Sequence, residues 1–548
     1  MSQPGDMPSA QRPLHALNRL GFGPRPGDVE AVQQMGVDRY VEQQLDPLSI
    51  PVPAELTNRI GALRTLRMTP VELFLEFQQP IKQAMKGDPD AKKEARHEAR
   101  EVMMEAAEAR IVRALYGARH LQEVLTAFWF NHFNVYAGKG LTSIWTGAFE
   151  EEAIRPNTMG RFRDLLGATA KHPAMLFYLD NWQNTAPDSP GKHGKFDGIN
   201  ENYAREVMEL HTLGVNGGYS QNDVIALAHI LTGWGLIKGG AGIPGMMNGP
   251  KNLPARENFS ARDFQPHPGG FFGLFGFRRP HPHNPYRQAA RVNGVVGQYG
   301  FFFDASRHDF NEQTFLERTI AGGGIEQGET ALDMLARSPV TANHLSYEIA
   351  QYFVADDPPQ SLVKRMANHY LATDGNIREV LAAMFSSGEF WDRRNYGSKF
   401  KTPYEYVISS VRVIDAPVVN VLPLAGTMAL LGMPLYGCQT PDGYKNTRDA
   451  WLNPDAMMTR LSFATALGAG RLPLQRPPDG DFGAVPGLRK SGEVRPVSFN
   501  GNIDPPDPAR LATTVGDMFS PHTADAVEAA PPQLRAPLIL GSPEFMLR

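Results

Sequence analysis

Between Asn200 and Leu213 the chain reads Asn-Glu-Asn-Tyr-Ala-Arg-Glu-Val-Met-Glu-Leu-His-Thr-Leu, closed by Gly214. Wound at roughly 100° per residue, this stretch sets Asn202, Glu206 and Glu209 on one narrow stripe, with Tyr203, Val207 and Leu210 as an apolar stripe beside it. A helix apolar on more than one side is usually buried, and a buried carboxylate must be paired, protonated or bound to a cation. Arg205 is spaced to pair with Glu201 and Glu209, whereas Glu206 has no local partner. Two close carboxylates repel when both are ionised, so one retains its proton, the ingredient of general acid catalysis.

Other residues of suitable chemistry are scattered. His132 ends the run Phe128-Trp129-Phe130-Asn131-His132-Phe133 and reads either as a core imidazole bonded to backbone or as a group projecting into a cavity. His308-Asp309 follows the strand-like Phe301-Phe302-Phe303, and a His beside a carboxylate suits a ligand, a general base or a salt bridge. Asp180 and Asn181 open a polar loop that lasts to Gly198, a candidate rim or lid. With Asp180 or Asp309 opposite, Glu206 and Glu209 would act on a glycosidic or similar acetal bond of a polymer. His132, His308 and Asp309 complete the catalytic set. Asn200, Asn202, Arg205, Asp180, Asn181, Trp129 and Trp234 would hold substrate, with Tyr178 and Trp182 as further aromatic walls.

Two other readings compete. His132, Glu206, His308 and Asp309 form an N/O set that would bind a divalent metal, making the protein a metal-dependent hydrolase or an oxidoreductase. Alternatively the charged block is a structural ion-pair network in a non-catalytic binding or assembly protein. His211 lies nearly opposite Glu206 on an ideal helix and suits the helix C-terminus. There is no Gly-x-Ser-x-Gly elbow and no His-Glu-x-x-His helix. Haem, flavin and nicotinamide readings have no motif.

The 548 residues carry a net charge of −4, so no global basic field recommends nucleic acid. The single cysteine, Cys438, excludes an intramolecular disulfide framework. No apolar run reaches the roughly 18 residues of a membrane span. Met1-Ser2-Gln3-Pro4-Gly5-Asp6 lacks a signal-peptide pattern, so the expected location is the cytoplasm, or the periplasm or exterior if an export signal has been removed.

The elements that must position these residues are mostly helices. Apolar spacing predicts them over 10–20, 27–46, 70–85, a long segment after Asp88, from His120, within 150–170 and over the charged block. Ser220 stands three residues before Asp223 as a capping box for 220–231. Further helices are predicted over 329–336, 340–354, 359–371, 376–386, 402–413 and 455–468. The expected fold is mainly α, one large multi-helical domain with loop-rich insertions and a few short strands. Residues 1–235 form the N-terminal helical part, 236–305 a Gly/Pro/Phe-rich insertion, and 306–548 a C-terminal helical part sharing one core with the first.

The opening Leu17-Asn18-Arg19-Leu20-Gly21-Phe22-Gly23-Pro24, the Phe128–Phe133 run, His172-Pro173-Ala174-Met175-Leu176 and the Asn200–Gly214 block recur with Leu231-Thr232-Gly233-Trp234, His308-Asp309 and Gly541-Ser542-Pro543-Glu544-Phe545. Together, in order and over nearly the whole chain, they resemble the bacterial family known as domain of unknown function 1800. The resemblance carries no activity. It implies departures: Gln313 and Glu348 stand where lysines are expected, Ser338-Pro339 where a His-Pro is, and His229 where an arginine is. If those lysines hold substrate in relatives, this chain has a changed substrate or a weakened site.

Overall fold

Helix starts are written into the chain by short polar residues that accept the free backbone amides of the first turn. Thr69, Ser220 and Thr402 each close a reciprocal capping box with the acid three residues on, Glu72, Asp223 and Glu405. Ser338, Asn453, Asp507 and Ser520 cap a helix that begins with proline, whose missing N–H costs nothing at that position. The computed structural model of the protein describes residues 5–78, 89–236, 295–475 and 503–548. Within them the fold is mainly α.

The predicted helix over 27–46 is two, Asp28–Met35 and Val37–Gln44, because Gly36 at φ 89° breaks the run. The segment 150–170 opens with a π-turn, Glu150–Ile154, and resumes as Phe162–Lys171. Two small antiparallel sheets accompany the helices. Phe301–Phe303 lies between Trp234–Leu236 and Val295–Val296, with Trp234 opposite Phe303. Gln313–Phe315 pairs with Arg318–Ile320 through Leu316 and Glu317, both at positive φ. Leu316 N–H donates to Asp223 Oδ1 at 2.7 Å, which pins this hairpin to the Gln221–Ile230 helix.

One apolar cluster runs from Met7 to Met546 and draws on both helical parts of the chain. Its largest fully buried side chains include Trp129, Trp234, Tyr203 and Tyr406. Most of the 236–305 segment, with its His281-Pro282-His283 run, lies outside the described residues. Among the described residues no helix is long and apolar enough to cross a membrane.

The charged helix spans Glu201–Glu209, shorter than the sequence block. Asn200 caps it by accepting Asn202 N–H, and Tyr203, Ala204, Val207 and Met208 are buried. Tyr203 O–H donates to Ala170 O at 2.9 Å. After Glu209 the chain loosens: His211 N–H reaches Glu206 O at 3.0 Å and Leu213 N–H reaches Met208 O at 2.8 Å, and Gly214 at φ 85° ends the turn.

A candidate acid–base site at the end of the charged helix

Glu206 is half-buried, and no described residue gives its carboxylate a hydrogen bond or ion pair. Burial, then the negative charge of Glu209 and that of Asp442, push its carboxyl above the ordinary range, while Arg205 opposes them. Arg205 does not pair with Glu209 as its spacing suggested. It reaches Glu201 at 3.2 Å and Gln221 at 2.9 Å, because the Gln221–Ile230 helix packs alongside. Glu209 instead accepts Tyr219 O–H at 3.3 Å.

Asp442 arrives from a distant loop, held by the end of the His120–His132 helix. Asn134 Nδ2 donates to Cys438 O at 3.0 Å and Thr440 O at 2.8 Å. Asn131 donates to Tyr444 O at 2.8 Å and accepts Tyr444 N–H at 2.7 Å. The approach is so close that a Cβ on Gly443 would lie 2.3 Å from Asn131 O, and φ there is 66°. Glycine is required at that point. Burial works against ionised Asp442, but hydrogen bonds from Lys445, at 2.8 Å, and Thr440 hold its carboxyl below the usual range. Tyr178 closes this side by donating to Gln439 O at 2.8 Å; burial, then Cys438 and Glu206, push its phenol up.

Lys445 also acts on Glu348, which links the stripe to His132. His132 Nδ1 lies 2.8 Å from Glu348 Oε2 and Nε2 lies 3.2 Å from His211 O. His344 Nε2 stands 3.6 Å from Glu348 Oε1. Burial disfavours the Glu348 carboxylate, yet His132, His344 and Lys445 hold its carboxyl low. Burial lowers the imidazoles of His211 and His344. Charge thus ties Glu206 to Glu209 and Asp442, and Lys445 links Asp442 to the cluster of Glu348, His132 and His344.

The remaining predicted residues stand elsewhere. Asn200 and Asn202 donate to Asp180 O at 3.4 Å and Leu179 O at 3.1 Å, so both fasten the charged helix to the turn before it. Asp180 pairs with Lys139 at 2.7 Å on the rim. Asn181 is fully buried and donates to Leu231 O at 3.2 Å and Trp234 O at 3.0 Å, which occupies its amide. Trp129 cannot line a cleft, being fully buried with Nε1 donating to Thr158 O at 3.0 Å. Trp234 is fully buried too, pressed so hard on Gly328 that a Cβ there would lie 2.2 Å from the indole.

His308 is likewise structural. Its ring nitrogens lie 2.8 Å from Thr232 O, and 3.0 Å from both Gly323 O and Gln327 Oε1. Burial lowers its imidazole. Asp309 faces His229 at 2.6 Å and is held by Asn311 and Gln313. Against its burial, these bonds keep its carboxyl low. The proposed metal set of His132, Glu206, His308 and Asp309 is thus parted. Among the described residues no three His, Cys, Asp or Glu side chains are arranged to hold a metal ion.

Asp442, Lys445 and His344 were missed in the sequence; the Pro441-Asp442-Gly443 turn signature was the one available signal for the loop. A cavity of about 40 Å³ adjoins the residues that hold that loop, Asn131, Asn134 and Tyr444, and is walled further by Arg110, Tyr404 and Tyr436. None of its walls belongs to the charged helix.

No curated protein and no solved structure matches the chain. The family described as protein of unknown function (DUF1800) matches over residues 15–547, nearly the full 548, and the chain belongs to that family.

Proposed function

We propose that the protein hydrolyses glycosidic bonds of a polymeric substrate, with Glu206 as general acid and Asp442 as its ionised partner. The observation that carries this reading is a divergent pair. In one neighbourhood, burial and like charge raise the carboxyl of Glu206, while Lys445 and Thr440 lower that of Asp442. Carboxyls driven apart in this way divide acid and base work between them. Glu206 gives its proton to the glycosidic oxygen as the C–O bond breaks. Asp442 takes a proton from the water that attacks the anomeric carbon. Glu209, one turn on, keeps the negative field that makes Glu206 hold its proton.

Release of reducing ends from a panel of polysaccharides tests this. Glu206→Gln and Asp442→Asn are each expected to lose on the order of 10²–10⁴ in rate, the usual contribution of a positioned acid or base. The pH profile is expected to be bell-shaped, needing Asp442 ionised and Glu206 protonated. Unchanged rates in both variants, or no release by the wild type from any polymer in the panel, would overturn the proposal.

A further inference from the structure

Residues 545–548 lie along residues 399–401, with Lys401 N–H donating to Met546 O at 2.9 Å and Arg548 N–H to Lys399 O at 2.8 Å. Around this seam stand the cations Arg19, Lys399, Lys401, Arg460 and Arg548, all buried. Two carboxylates act against them, Glu405 and Asp356, and both are already engaged. Glu405 accepts Arg548 at 3.0 Å, Tyr352 O–H at 3.1 Å and Thr402 N–H at 2.8 Å. Asp356 pairs with Lys399 and accepts Arg448 N–H at 2.9 Å. Arg19, Lys401 and Arg460 form no ion pair with a described carboxylate; they donate to the carbonyls of Phe353 at 3.1 Å, Phe545 at 2.7 Å and Lys401 at 2.7 Å. A carbonyl satisfies a donor but leaves the charge unbalanced.

Arg460 is the least satisfied of them. Its guanidinium lies over the rings of Phe400 and Tyr406, 4.6 and 4.7 Å from their centroids. Nη2 bonds to Lys401 O, while Nε and Nη1, sealed from solvent, have no hydrogen-bond partner among the described residues. Nε of Arg19 and Nε of Arg548 are unpartnered in the same way. A buried charged donor without a partner is costly and marks a group that completes it. The cations also press on one another: burial first, then Arg460 and Arg548 against the pull of Glu405, push the Lys401 ammonium down to about 7.

We infer that this cluster binds a small monovalent anion, a halide, between the Arg460 guanidinium and the Lys401 ammonium. The two cations belong to one place, because Arg460 is bonded to the backbone of Lys401 itself. The cavity of about 40 Å³ beside Asn131 and Tyr444 extends to Thr402 and Glu405, directly after Lys401, and admits an ion of roughly water's size. Full enclosure favours a bare halide over a doubly charged oxyanion, since the cost of burying an ion climbs steeply with its charge. The anion balances the excess charge where the Arg12–Arg19, Pro403–Ile414 and Pro454–Gly468 helices meet the 545–548 segment. This role is independent of the hydrolase reading.

Melting of the whole chain is followed at constant ionic strength as chloride replaces gluconate. Mass action predicts a saturating rise of about 2 °C or more between about 1 and 100 mM chloride, and bromide is expected to substitute for it. Ion chromatography of protein exchanged into gluconate and then denatured reads any anion that did not leave. Crystals soaked in bromide are expected to show an anomalous peak in contact with the Arg460 guanidinium. Lys401→Met removes one cation at nearly constant length and is expected to lose most of the chloride gain; if it does not fold, the wild-type melting and the bromide position decide. Equal melting in chloride and gluconate with no halide released on denaturation would overturn the inference. So would bromide peaks only away from Arg460, release of phosphate or sulfate in place of halide, or a chloride gain undiminished in Lys401→Met.

Discussion

Glu206→Gln preserves side-chain shape and removes the ionisable carboxyl from a half-buried place where Glu209 and Asp442 disfavour its charged form. Because the folded state raises this carboxyl, the unfolded chain gives up the proton first as pH climbs past the ordinary 4.5. Stability contributed at Glu206 is thus highest in acid and declines with rising pH until the folded group has also ionised. Each like-charge neighbour on a solvated helix costs roughly 0.2–0.5 kcal/mol. Two such neighbours and partial burial, discounted for solvent screening, make the relief in the variant about 1 kcal/mol. In a chain this long that is a melting shift of no more than about 2 °C. At pH 7.5 the variant is expected to melt level with the wild type or up to about 2 °C above it, and at pH 4 the two should coincide. Differential scanning fluorimetry at both pH values reads this directly. A variant several degrees less stable at pH 7.5 would mean that Glu206 is a paired structural acid, and the argument for a catalytic one would fail.

Glu150 is the opposite kind of acid, fully enclosed and bonded to Arg110 at 3.1 Å, Arg155 at 3.2 Å and Tyr436 O–H at 3.1 Å. Glu150→Gln leaves buried guanidinium charge unbalanced and is expected to cost about 3–5 kcal/mol in urea unfolding; a loss under about 1 kcal/mol would show the network to be dispensable. Burial lowers the imidazoles of His15, His172 and His211, so the unfolded chain takes up protons below pH 6.5 that the folded chain refuses. Their stability is complete above pH 6.5 and drains away on acidification, at about 1.4 kcal/mol per pH unit for each. His15→Asn, far from the candidate site, should flatten the acid limb of the stability curve by one such share, and an unchanged slope would count against neutral burial.

What was legible in the sequence was local. Glu206 stood out because helix spacing alone denies it a partner, and the capping box at Ser220 needs only its own four residues. What it did not carry was the contacts between distant segments. Trp129 read as a cleft wall because its type suits sugars, but nothing in its run foretells that Thr158 O takes its N–H. His308 read as a ligand because a carboxylate follows it; its nitrogens are taken by Thr232, Gly323 and Gln327, all distant in sequence. The partner of Asp309 is His229, supplied by a separate helix, and the charge of Asp442 acts on Glu206 from a loop that Asn131 and Asn134 hold some three hundred positions later. Such pairings are set by packing, to which periodicity is blind.

The unequal behaviour of Glu206 and Asp442 comes from causes of different durability. Burial, a property of the packed helix, raises Glu206 first, and salt does not remove it. Part of what lowers Asp442 is Lys445, whose side chain is 66% exposed and whose charge is shared with Glu348. Exposed pairs are screened by salt. High salt should therefore weaken the hold on Asp442 more than it eases Glu206, narrowing the gap between the two from the base side. The gap keeps its sign even then, because Thr440 still donates to Asp442, whereas no described residue donates to Glu206. Glu348 adds a constraint of its own. Placed where relatives are expected to carry a lysine, it draws on Lys445 and the imidazoles of His132 and His344, so the Lys445 charge is divided between Asp442 and Glu348. An acid at that position makes the neighbourhood more negative than a lysine would, which favours a protonated Glu206.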